Sequence, residues 1–267
     1  MHVVICGGGV IGAATAYFLT RRGVDVTVVE RTGVACAASG KSGGFLALDW
    51  CDGGPLSELA RRSFALHAEL AEEIGEDYGY RRMTTYAGHG AAGGGEEPSG
   101  RFGVDWVSGG VTLSQRLGTT DSTAQVHPGL FTKAMMRVAE ERGATVRQAT
   151  VTGLVRGDGG TVTGVVTEAG TLDADAVVIA MGPWSILASA WVPLPGVFGL
   201  KGHSLVFDTP APLPADALFV EFQEASGASA SPEVFPRTDG TTYVCGVSAH
   251  DSPLPVDPAD VAPDPGR

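Results

Sequence analysis

Positive charge is scarce in this 267-residue chain. Lys and Arg number 18 against 30 Asp and Glu, giving a formal net charge of −12 and a pI near 4.8. A nucleic-acid or anionic-membrane surface needs clustered Lys and Arg, so neither is expected as a partner, and an anion bound here has to be held locally. Lysine itself is confined to Lys41, Lys133 and Lys201. Cysteine is also sparse. Cys6, Cys36, Cys51 and Cys245 form no CxxC pair and no Cys/His set at zinc spacing, so no metal site is expected and a reducing compartment fits. The start of the chain has no basic n-region or cleavage-site pattern, which gives no signal peptide and an expected cytoplasmic location. Residues 176–200 carry no charge, but Pro183, Pro193 and Pro195 interrupt them, so a buried strand and a broken loop are expected there and no membrane span.

Glycine, by contrast, is abundant: 39 residues, roughly twice average usage and without a G-X-Y period. Hydrophobic residues make up 43% and mean hydropathy is +0.12, enough for a core in one large domain or two modest ones. The glycines cluster first where they carry chemistry. The apolar run His2–Cys6 leads into Gly7-Gly8-Gly9-Val10-Ile11-Gly12, then a helical pattern through Ala16 and Leu19, then a second apolar strand ending at Glu30. This is a complete βαβ dinucleotide fingerprint with its acid about 20 residues on. Gly7 serves the tight turn, Gly9 leaves room for a pyrophosphate, and Gly12 lets the helix lie close to the sheet. The pyrophosphate would sit at the helix N-terminus, and Glu30 would accept hydrogen bonds from the ribose and repel a 2′-phosphate.

The fingerprint does not separate FAD from NAD. After Arg31 comes Ala37-Ala38-Ser39-Gly40-Lys41-Ser42-Gly43-Gly44-Phe45, a small-residue loop suited to wrapping the phosphates and ribityl chain of an extended FAD. Residues 56–78 read as an amphipathic helix with His67 on its flank, and residues 93–98 as a surface loop. Residues 130–142 read as a helix stopped at Gly143. Strand signals follow at 143–146, 149–154 and 161–167, then a buried strand over 172–185 ending in Gly182-Pro183-Trp184. Further strand-like runs lie at 204–207, 218–222, 233–236 and 242–247.

Together, residues 1–31, the Ser39–Phe45 loop, Val126-His127-Pro128, Val151 and the Ala180–Ser185 strand end resemble the FAD-dependent oxidoreductase superfamily of D-amino-acid oxidase, glycine oxidase and sarcosine oxidase. The segments 48–55, 199–204 and 232–237 are similar to an uncharacterised eukaryotic branch of oxidoreductases within it. The resemblance implies an α/β fold with an α+β cap: a Rossmann-like FAD/NAD(P)-binding domain and an antiparallel-sheet substrate domain. It divides the chain into a discontinuous FAD-binding domain (1–80 and 126–198), a substrate domain (81–125 and 199–249) and a Pro/Asp-rich tail (250–267) that does not fold alone. It also implies that Gly7, Gly9, Val10, Ile11 and Gly12 meet the pyrophosphate, and Glu30 and Arg31 the adenosine side. Ser39, Gly40, Lys41, Gly43 and Gly44 would approach the phosphates and ribityl chain, Val151 the adenine, and Gly182 the cofactor where its strand ends. The loop offers Ser39-Gly40-Lys41-Ser42 where relatives with covalent FAD carry His or Cys, so non-covalent FAD is expected.

The expected reaction is oxidation of a small-molecule amine or amino acid at a CH–NH or CH–NH2 group, by hydride transfer to flavin. A substrate carboxylate needs a cation, and Arg237, Lys201 and His203 are the catalytic candidates. Lys201 and His203 alternate on one strand and could share a face, whereas His127 reads as structural. The alternatives are a non-catalytic or truncated FAD-binding interaction protein and, third, an NAD-dependent dehydrogenase, which the loop after Arg31 disfavours. By the same resemblance, the last part of the FAD domain, about a hundred residues, is expected to be missing.

Overall fold

A computed structural model describes residues 1–94, 99–100, 102–107 and 110–264. The 95–98 part of the expected surface loop lies outside the described residues. Two compact units emerge, one from Met1–Ser42, Pro128–Gly199 and Asp251–Asp264, the other from Gly43–His127 and Leu200–His250.

The first unit is built on four parallel strands in the order Ala176–Ile179, His2–Cys6 (β1), Asp25–Glu30 (β2), Thr145–Gln148. β1 and β2 are buried almost throughout, as parallel strands covered on both faces require, which is why their sequences are continuous apolar runs. Helix α1 (Val10–Thr20) connects β1 to β2 and packs against the Pro128–Glu141 helix, with the Arg142 guanidinium 4.5 Å over the Tyr17 ring. A three-stranded antiparallel sheet, Val151–Arg156, Val162–Thr167 and Gly170–Asp173, buries Val165 against Val4, Cys6 and Val29. The strand expected over 172–185 is broken in two. Asp175 turns the chain, its carboxylate accepting the His2 N–H at 2.7 Å and its own N–H donating to the His2 carbonyl, so residues before it pair with the small sheet and residues after it with β1.

The second unit holds a large mixed sheet in the order Lys201–Asp208, Thr241–Ala249, Glu233–Pro236, Asp216–Gln223, Thr84–Ala91, Val111–Gly118, Ser99–Gly100. Its pairs are antiparallel apart from Asp216–Gln223 beside Thr84–Ala91 and Ser99–Gly100 beside Val111–Gly118. Met83, Ala217, Phe235 and Tyr243 form a buried cluster under this sheet. The unit boundary falls after Ser42 and not at residue 80. Phe45 stacks on Phe235 at 5.5 Å, and the strand Phe45–Ala47 pairs with Thr123–Gln125, which ties residues 43–80 to the second unit. The helix expected over 56–78 spans Ser57–Ile74, ended by left-handed Gly75. Residues 251–264, part of the Pro/Asp-rich tail not expected to fold alone, pack on the first unit.

Candidate functional site

The site grows from the turn between β1 and α1. Gly7 has φ +112, and a Cβ there would lie 2.4 Å from the Ala180 carbonyl oxygen, so the backbone of the neighbouring strand end allows only glycine. A Cβ on Gly12 would lie 1.9 Å from the Gly7 oxygen, closing the turn tightly onto the helix. Gly9 differs: a Cβ there would meet only the Ser39 hydroxyl, at 3.1 Å. It faces open space at the start of α1, whose first turn carries no acid and whose N-cap makes no side-chain bond. The Val10 N–H donates instead to Ser39 Oγ at 2.9 Å. An eleven-residue helix thus presents its positive end to a cavity.

That cavity is open to solvent, and its empty space together with the mouth amounts to about 780 Å3. Gly7, Gly9, Glu30, Arg31, Ser39, Val151 and Gly182 all line it, drawn from five separate stretches of sequence. Trp184, from the Gly-Pro-Trp strand end, lines it as well, as do Cys36, Thr150, Leu187 and Pro258, which carry no sequence signal because none sits in a motif. Burial, with Glu30 nearby, raises the Cys36 thiol above its usual pKa, and burial pushes Cys6 up to about 12. Both thiols therefore stay protonated at neutral pH.

Glu30 has a second job. Its Oε2 accepts from the Gly8 N–H at 2.6 Å, and its Oε1 from the Thr32 and Gly33 N–H groups at 2.9 and 3.3 Å, clamping the glycine turn to the end of β2. Arg31 donates from Nε to Thr150 Oγ1 at 3.3 Å. Val10, Ile11, Gly12, Gly40, Lys41, Gly43 and Gly44 are not among the lining residues. Gly40 is a packing residue, since a Cβ would sit 2.0 Å from the Ala35 oxygen. Gly43 belongs to the second unit, where a Cβ would be 2.7 Å from the Phe235 ring.

The three catalytic candidates all lie in the second unit and do not converge. Lys201 and His203 pair with Ala249 and Val247 at one end of the Thr241–Ala249 strand, while the Arg237 N–H bonds the Thr241 carbonyl at the other. Eight residues of extended chain separate the ends by roughly 25 Å. Arg237 is only 7% exposed, with its guanidinium 4.8 Å over the Tyr243 ring and Nη1 3.5 Å from His127 Nε2. Burial pulls its pKa below the usual arginine value, while Asp239 and Tyr243 push it back up. His127 stands between Arg237 and Asp239, whose Oδ2 is 4.0 Å away.

Residues 2–266 match the FAD dependent oxidoreductase family. The chain belongs to that family. Its members are FAD flavoproteins, and the residues around the cavity fit that cofactor: a glycine turn open at Gly9, a helix N-terminus and an acid at the end of β2. Among its relatives, a Schizosaccharomyces pombe protein named "Putative oxidoreductase" is 30% identical, with 95% of this chain covering 72% of that one. The glycine oxidase of Geobacillus kaustophilus is also 30% identical, over 82% of this chain and 64% of its own length. The crystal structure of Bacillus cereus glycine oxidase superposes with a TM-score of 0.71 at 25% identity, covering 92% of this chain and 71% of that one. Among the described residues no helix is long and apolar enough to cross a membrane, and no group of three or more His, Cys, Asp or Glu could hold a metal ion.

Proposed function

We propose that this FAD-dependent oxidoreductase binds FAD non-covalently in the cavity of its first unit and oxidises an amino acid or related amine at a CH–NH bond. The observation that carries the proposal is the convergence of Gly7, Gly9, Glu30, Arg31, Ser39, Val151 and Gly182 on one cavity. The α1 N-terminus and Ser39 would hold the pyrophosphate, Glu30 the ribose hydroxyls, the Ala149–Val151 backbone the adenine, and Gly182 the flavin side. Bound FAD would supply the two-electron acceptor for the carbon–hydrogen bond beside the substrate nitrogen. Lys201 and His203 lie too far from Arg237 to grip the same small molecule. Of the three, Arg237 is our candidate for a substrate carboxylate, because a desolvated guanidinium gains most from an arriving anion. The relatives support this class of substrate: glycine oxidase and D-amino acid dehydrogenase are among them.

The protein purified with FAD should show a flavin absorption spectrum, and Gly9→Trp should abolish it, since the indole would fill the space before the helix N-terminus. Anaerobic addition of amino acids and N-methyl amines should bleach the flavin, and Arg237→Ala should slow bleaching by carboxylate-bearing amines more than by amines without one. A colourless wild type would end the proposal. Equal slowing of both amine classes would remove Arg237 from the carboxylate role.

A further inference from the structure

Segment 251–264 crosses the cofactor cavity as a strap. Trp184 Nε1 donates to the Pro255 carbonyl at 2.8 Å, at the Gly182 side of the cavity. Arg31 Nη1 donates to the Val256 carbonyl. Thr32 Oγ1 donates to Asp257 Oδ1 at 2.9 Å, and the same carboxylate oxygen accepts the Ala259 N–H at 2.8 Å, capping a single 3-10 turn over Pro258–Asp260. Lys41 Nζ reaches the Val261 carbonyl at 3.4 Å. Pro258, inside a segment whose other residues are exposed or half-buried, is buried and forms part of the cavity wall.

We infer that this strap is autoinhibitory: docked, it competes with the dinucleotide for the cavity and for the Arg31 guanidinium that lines it. The inference rests on the FAD reading above. Arg31 lines the cavity and Lys41 follows Ser39 by two positions, and both donate to strap carbonyls. The strap also brings the Asp257 carboxylate against the Thr32 turn and adds Asp260 beside it, negative charge where an anionic ligand has to enter. A dinucleotide with its pyrophosphate at α1 needs Arg31 released and Pro258 withdrawn. The strap can let go without unzipping a sheet, because among the described residues 251–264 form no strand.

The test uses the whole chain carrying Asp257→Ala and Pro258→Ser, with Asp158→Asn as a control for the lost negative charge. FAD affinity is read by quenching of flavin fluorescence, and the amides of 259–261 by hydrogen exchange with and without FAD. We expect the strap variant to bind FAD about tenfold more tightly than wild type, the control to match wild type, and the 259–261 amides of wild type to lose protection when FAD is added. Equal or weaker binding by the strap variant, or gain of protection at 259–261 on binding, would overturn the inference and make the segment inert or a clasp. If neither wild type nor strap variant binds FAD, the cofactor reading fails and takes the strap with it, an outcome distinct from equal binding by both.

Discussion

Removing the Glu30 carboxylate strands three backbone N–H groups at once, those of Gly8, Thr32 and Gly33. Hydrogen bonds to a charged acceptor contribute about 1.5–3 kcal/mol each when made, and the freed groups recover part of that from water because the site is half-exposed. Glu30→Ala should therefore cost about 2 kcal/mol of stability in protein without FAD, measured by urea unfolding, and Glu30→Gln should cost less because one acceptor oxygen survives. No change with Glu30→Ala would mean that the clamp is unimportant and that the acid serves the nucleotide alone. The spacing of Gly7, Gly9, Gly12 and Glu30 was readable in the sequence because each position answers a demand that repeats wherever a strand turns into a helix under a pyrophosphate. The clamp was not readable, since its donors are main-chain groups of Thr32 and Gly33 and have no residue signature. Arg237 shows the same limit from the other side. Its guanidinium chemistry could be named from the sequence, but not its enclosure by Tyr243 and His127, which lie six positions ahead and more than a hundred behind.

Among the elements, the Ser57–Ile74 helix carries a titration that its amphipathic pattern only half revealed. His67 on the flank of its apolar stripe is mostly buried, and burial lowers its pKa to about 4 from an ordinary 6.5. The folded state thus disfavours protonation that the unfolded chain accepts. Stability is undiminished above pH 6.5 and falls as pH drops from about 6.5 toward 4, by up to about 3 kcal/mol from this group. His67→Leu should flatten the stability profile in that window, and an unchanged slope would show that His67 is solvated in solution. Helices and hairpins were legible because period and stop signals are local: Gly75 and Gly143 end their helices with φ +65 and +102. Segment 172–185 was not, because a continuous apolar run does not reveal which sheet each half joins, and only the Asp175 contact with His2 divides it. Residues 43–80 were misassigned for a related reason. The cofactor loop and the Phe45–Ala47 strand are adjacent in sequence, and the boundary between units is drawn by Phe45 against Phe235, a contact across 190 positions.

For the molecule as a whole, the shortage of positive charge sets how an anionic cofactor arrives. The net charge is −12, and on the proposed binding mode the local attraction comes from Arg31 and the α1 N-terminus. These two fields differ in range. At 0.01 M ionic strength the screening length is about 30 Å, so acids across the protein repel an approaching pyrophosphate; at 0.15 M it is about 8 Å, and mainly the site itself is felt. Adding salt should therefore speed FAD association, by roughly two- to fivefold between these conditions, where a protein with a basic entrance would slow. Stopped-flow quenching of flavin fluorescence measures this directly. The Asp257→Ala/Pro258→Ser variant should associate faster at every ionic strength yet keep nearly the same slope, because the strap lies at the site while the repulsion comes from the whole surface. A rate that falls with salt in the wild type would show that the local attraction governs approach despite the net charge, and the account of a globally repelled, locally captured cofactor would be wrong.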